Sequence, residues 1–417
     1  MSETKPGVTL NPELLLHPEA ARISLPATFQ IDEIRPVRGH TRPHLTAPTL
    51  GVLSHFTGTF AGTGFNMIFR PNSAAPTTTT FPNPVSPTPP TPPSENVLEL
   101  NLTKETLAFS PALGSVPNRG LEAQNDIFLN GVPYVQTISD VTNPDTGKGD
   151  GNPIGIHFEP GLWMHIPATT TTPDLATSLV RMASIPHGTT INAQCLEPAG
   201  SFNGPPTIPP VSITPFVINS NPPNLITFAS QTATNNATPR IPQDLTKFIA
   251  AGTINQAILN DPNTVLRNAI AGQTITKTIV FTVSTAPAAP EFGGGTDNIA
   301  FLLGNASGGA ANANAVKMAA TFWIETVEHK IVIPPFKPGQ PPLKIPAPAA
   351  HPEQFRPVFE VTPPHEIAKA ITITVHSTQI QYSQVVLLNF AGLTWPHVSV
   401  ATLVPSDTQT VPPSAWP

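Results

Sequence analysis

Charge is scarce in this chain. Asp, Glu, Lys and Arg make up 11% of its 417 residues, against roughly 25% in an ordinary soluble domain. A long helical bundle is excluded, because its solvated faces need Glu and Lys at helical spacing. The 20 Lys and Arg residues are scattered, and the net charge is −6. Nucleic acid needs clustered positive charge, so no nucleic-acid partner is expected. Cysteine is nearly absent: Cys195 stands alone, cannot form an internal disulfide, and fits a reducing compartment. No run of about 18 apolar residues occurs, which argues against a transmembrane helix and for no membrane partner. The opening Met1–Gly7 has neither the basic start nor the apolar core of a secretory signal, so the expected location is cytoplasmic.

What the chain does have is proline and small polar residues. It carries 54 Pro and 27 Gly, with 39% hydrophobic residues, so its polarity comes from Thr, Asn, Ser and Gln. Collagen is excluded by the lack of a Gly-x-y period. Full disorder is disfavoured, since disordered chains pair low hydrophobicity with high net charge. Short runs of alternating apolar and polar residues, separated by turn residues, predict an all-β protein.

The expected organisation is an extended proline-rich arm over 1–49, an N-terminal β-barrel over 50–197, a proline-rich connector over 198–224 and a C-terminal β domain over 225–417. The stretch 71–94 is low-complexity Pro/Thr and reads as a surface loop. Asn130-Gly131, between DIFL and VPYVQTI, predicts a hairpin turn. One helix is expected from Pro242 to about Asn260, a strand over 298–305, and a hairpin within 370–390. The fold expected is two antiparallel barrels or packed sheets joined by proline-rich connectors.

Within the first barrel, Gly58-Thr-Phe60-Ala-Gly62-Thr-Gly64 resembles the Gly-x-Trp-x-Gly element of lipocalin-like and fatty-acid-binding-like (calycin) barrels, with Phe60 at the Trp position. The resemblance implies an antiparallel barrel holding a hydrophobic small molecule. Heme-binding members of this general class exist, as do barrel enzymes that cyclise or isomerise hydrophobic substrates.

Three constellations carry candidate chemistry. His157 and Glu159 share one face of a strand; they either face water or point together into a lumen, where the carboxylate would fix the imidazole for acid–base work. Arg181 stands in an otherwise apolar run, and a buried Arg wants a carboxylate, such as Glu159, or an anionic ligand. His187, in Ile185-Pro186-His187-Gly188, sits at a turn on the rim; it either caps backbone groups or acts as a metal ligand to heme iron. Glu325, flanked on its face by Trp323 and Val327, is the candidate interior acid. Phe65, Trp163 and Tyr134 are candidate aromatic ligand contacts. Zinc spacings, phosphate loops and nucleophile elbows are missing. The function expected is binding of an apolar or amphipathic small molecule, heme first. The rivals are a cofactor-free cyclase or isomerase and a structural protein with a packed interior.

Overall fold

A computed structural model describes residues 47–71, 96–169, 174–196, 200–238, 240–287, 293–303, 313–349 and 354–416. Most of the expected N-terminal arm and of the Pro/Thr loop lies outside the described residues.

Ten strands form the body: β1 Thr59–Arg70, β2 Val97–Phe109, β3 Ile127–Asp140, β4 Ile154–Ile166, β5 Ser178–Ile185, β6 Thr189–Leu196, β7 Thr274–Ser284, β8 Asn314–Ile333, β9 Ile371–Phe390 and β10 Leu393–Pro405. Their order around the wall is β2-β1-β10-β9-β8-β7-β6-β5-β4-β3, and β3 pairs back onto β2 to close an antiparallel barrel. The all-β class is as expected, but the two halves build one barrel between them. The N-terminal half supplies six strands and the C-terminal half four, so each alone would leave open sheet edges, and closure removes them. The loosest seam is β6–β7, joined only at Gln194 and Ser284. Short strands flank it: Gly200–Asn203 pairs with β7 and Gly295–Asn298 with β6.

Several local expectations give way to this closure. Asn130 and Gly131 lie inside one continuous strand, not at a hairpin. A Cβ on Gly131 would come within 2.5 Å of the Trp163 carbonyl, so the glycine serves close strand approach. The expected hairpin within 370–390 is a single 20-residue strand. Of the run at 298–305, the described residues end a short strand and form a one-turn helix, Ala300–Leu303. The expected helix over 242–260 is two short ones, α1 Thr246–Ala251 and α2 Gln256–Asn260, and a third, α3 Thr264–Ala269, follows it. Gly252 ends α1 in the left-handed conformation, at φ 75°.

These helices and the loops around them cover the outside of β1, β2 and β10. Phe228 packs on Phe69 and Trp395, α3 rests on β10, and Gln381 donates to the Leu266 carbonyl. Both faces of these strands are therefore buried. β8 and β9 overshoot the barrel: 20 residues span about 65 Å. Their ends form a second core with a three-stranded sheet, through Ile331, Ile333, Ile373, Phe359 and Val361.

One end of the barrel is plugged. The 3-10 helix Gly51–His55 delivers Phe56 into the bore, where it stacks on Phe109 at 4.7 Å between ring centroids. Phe56 also touches Trp163, Phe281 and Phe322, and Phe60 packs edge-on to Phe109. Removing the Phe56 ring leaves a cavity that five aromatic residues cannot collapse into. Phe56→Ala is expected to cost about 3–5 kcal/mol, read as a lower Tm and a lower denaturant midpoint.

Candidate functional site

Above the plug the bore is crossed by a layer of polar side chains. Glu159 on β4 faces Arg181 on the adjacent β5, with Nη2 donating to Oε1 at 2.6 Å. Arg181 also donates from Nε to the Tyr134 hydroxyl at 2.8 Å and from Nη1 to Gln384 Oε1 at 2.7 Å. Tyr134 donates to Glu159 Oε1. The guanidinium lies against the Tyr134, Trp163 and Phe322 rings, 5.5–5.8 Å from their centroids. Two glycines make room for this layer. A Cβ on Gly161 would meet the Tyr134 ring at 2.5 Å, and one on Gly64 would meet Glu105 Oε1 at 2.7 Å.

Burial alone would push the Glu159 carboxyl up, but Arg181, His157 and Tyr134 overrule it and hold it down at about 2. Glu159 is therefore an ion at neutral pH. Its second oxygen, Oε2, lies 3.1 Å from His157 Nε2. An ionised carboxylate only accepts, so Nε2 carries a hydrogen, and in the neutral ring the lone pair lies on Nδ1.

A second carboxyl completes the layer. Glu105 on β2 accepts from Thr103 Oγ1 at 2.8 Å and lies 2.6 Å from the Tyr382 hydroxyl. Gln136 Nε2 donates to the same hydroxyl at 3.0 Å. Burial raises Glu105 to about 7, against the pull of these hydrogen bonds and of His157. It also pushes the Tyr134 and Tyr382 phenols well above their ordinary range.

Over this floor opens a cavity of about 510 Å³. Gln136, Tyr382, Gln384 and His157 face it from below; Ile138, Ile185, Ile191, Val386 and Leu388 wall it, with His187 and Leu302 also lining it. On one side it merges with a space lined by Asn66, Ile68, Arg70, Glu99 and Asn101, the two sharing His157, His187 and His397. His397 bonds Asn66 Nδ2 at 2.9 Å, and burial pushes it down to about 3. Among the described residues no cluster of His, Cys, Asp and Glu is arranged to hold a bare metal ion.

Of the expected site residues, His157, Glu159, Arg181, Tyr134 and Trp163 meet inside the barrel. His187 is on the Pro186–Gly188 turn at the mouth, its ring 6.0 Å from that of His157. Phe65 and Glu325 are on the other side of the wall. Phe65 lies opposite Leu102 and Val400 on the outward face of β1, against the helical layer. Glu325 lies opposite Thr278 and Gln379 on the outer face of β8, since its neighbour Phe322 points into the plug. The expected interior acid is thus buried outside the bore. The reason is that β8 is covered on both faces, so apolar neighbours do not mark the lumen side. Glu325 is raised to about 8 by burial, with Gln379 Nε2 donating to Oε2 at 2.5 Å. Its Oε1 finds no hydrogen-bond partner among the described residues.

Glu105, Tyr382, Gln136 and Gln384 went unnoticed in the sequence. Thr103 and Glu105 alternate toward one face of β2.

Two stability predictions follow from these carboxyls. Glu159→Ala leaves Arg181 charged, buried and unpaired, so it should cost about 3–5 kcal/mol, whereas Glu159→Ala with Arg181→Met should cost less; chemical denaturation of the three proteins checks this. Glu325 is an acid raised in the fold, so the folded state holds its proton longer and stability falls as pH rises from about 4.5 to 8. Glu325→Gln should flatten that alkaline fall, measured as the difference in Tm between pH 5 and pH 9. No known protein family, curated protein or solved structure matches this chain.

Proposed function

We propose that the open half of the barrel captures an apolar or amphipathic small molecule. The observation that carries this is the cavity of about 510 Å³, bounded below by a hydrogen-bonded polar floor and walled by aliphatic side chains. Ligand sites have this composition: mostly apolar walls with a few fixed polar groups. A purely structural barrel gains nothing from leaving that volume unfilled, since each missing contact costs packing energy. The Gly58-to-Gly64 resemblance to calycin barrels supports the same reading, and Phe60 lies in the plug at the closed end.

Heme is the first named ligand. His187 at the mouth would hold the iron, and Ile185, Ile191, Val386 and Leu388 would flank the macrocycle. Bound heme would supply an iron centre for redox or diatomic-gas chemistry.

Two titrations test the proposal. An environment-sensitive apolar dye should bind one site per chain, and Val386→Trp, which fills the cavity, should weaken it at least 10-fold without lowering Tm. Hemin should give a sharp Soret band that His187→Ala removes. Dye affinity unaffected by the filling variant would contradict the capture reading. Dye capture with only the free-hemin spectrum would remove heme and leave an organic ligand.

A further inference from the structure

The cavity floor holds two proton-handling groups that differ in sign. On one side stands His157, whose Nε2–H is fixed on the Glu159 carboxylate, leaving Nδ1 as a base. On the other stands Tyr382, whose side chain lines the same cavity and whose hydroxyl is backed by Glu105 and Gln136. The hydrogen inventory of Tyr382 is decisive. Gln136 already donates to its oxygen. If Glu105 is ionised, Tyr382 must turn its own hydrogen to Glu105 and has none for the cavity. If Glu105 is protonated, the carboxyl donates to Tyr382, and the phenol hydrogen is released toward the cavity with two donors polarising it. A carboxylic acid kept neutral by burial is a known way to build an oxyanion site.

Resting on the capture reading, we propose that the cavity transfers a proton on a bound, largely apolar carbonyl compound, with His157 as base and Tyr382 holding the carbonyl oxygen. The C–H bond next to the carbonyl breaks, its proton goes to His157 Nδ1, and its electron pair becomes a C=C bond. The carbonyl pair moves onto oxygen, where the Tyr382 hydrogen receives it. In a β,γ-unsaturated ketone the imidazolium then returns the proton to the γ carbon, and the double bond moves into conjugation. His157 is restored, nothing is oxidised, and no co-reactant is consumed. Glu159, Glu105 and Gln136 act as positioning residues. The cavity also agrees in polarity: aliphatic walls suit a hydrocarbon body, and the donor floor suits one oxygen.

The arrangement carries its own pH signature. The titratable or charged groups around Glu105 are Tyr382 from β9 and His157 from β4, with Arg181, Glu159 and Tyr134 acting through the same layer; β1 faces it with Gly64. Protonated Glu105 is the active form, and it titrates at about 7. Turnover therefore falls as pH rises through about 7, the reverse of what a base alone would give.

The test uses the full chain and 3-cyclohexen-1-one, following the ultraviolet rise of the conjugated enone, with displacement of the apolar dye as a separate binding readout. Wild type should turn over and lose rate above about pH 7. Glu105→Gln, whose amide donates to Tyr382 at every pH, should keep its rate there. His157→Gln should lose about 100-fold or more in kcat while still displacing the dye. Tyr382→Phe, which removes only the hydroxyl, guards against a misfolded Glu105 variant and should also lose turnover. Dye displacement by the ketone without enone, and without α-deuterium exchange above the buffer rate, would overturn proton transfer and leave capture standing. Failure of the dye to bind at all would remove both.

Discussion

A charge inside a barrel must be answered inside the barrel, and Arg181 sets that condition for the whole molecule. Its guanidinium is buried with no route to water, so it needs a carboxylate and further acceptors within reach. Glu159, Tyr134 and Gln384 supply them from β4, β3 and β9. Those strands come from both halves of the sequence, so the network can form only when the barrel is closed. Such a layer adds little net stability over a well-packed apolar one, yet it admits a single arrangement. That exactness of partner is what fixes the register of six N-terminal strands against four C-terminal ones.

The layer also divides the bore. Below it, Phe56, Phe109, Trp163, Phe281 and Phe322 pack ring against ring and exclude solvent. Above it, the walls change from aromatic to aliphatic and stop filling the space. The same side chains that answer Arg181 from below orient His157 from above, through the free oxygen of Glu159. Stability and chemistry therefore share atoms. Glu105 shows the opposite solution to burial: with no cation bonded to it, it is pushed up rather than down. Two carboxyls in one layer, one held ionised and one on the edge of neutrality, give the floor both an acceptor and a donor.

Much of the wall was legible in the sequence. Alternation and turn residues marked an all-β chain of short strands, and the pairing of Arg181 with Glu159 followed from an isolated Arg in an apolar run beside a strand carrying a carboxylate. What failed did so for one recurrent reason: many strands are buried on both faces. In β2 the polar series Glu99, Asn101, Thr103 and Glu105 points into the bore, and Leu98 and Leu100 point out into the helical layer, the reverse of a simple barrel. The same double burial put Glu325 and Phe65 outside. Asn130-Gly131 misled because glycine serves close approach as well as turns, and only the neighbouring strand decides which.

The central claim is that the bore is filled below the Glu159–Arg181 layer and open above it. Diffraction from crystals pressurised with xenon tests this directly, because xenon enters apolar voids without needing a polar partner. The account predicts xenon above Tyr382 and Gln384, against Ile185, Ile191, Val386 and Leu388, and none among the rings around Phe56. Xenon within the aromatic plug, or an upper half closed by its own side chains and devoid of xenon, would contradict it.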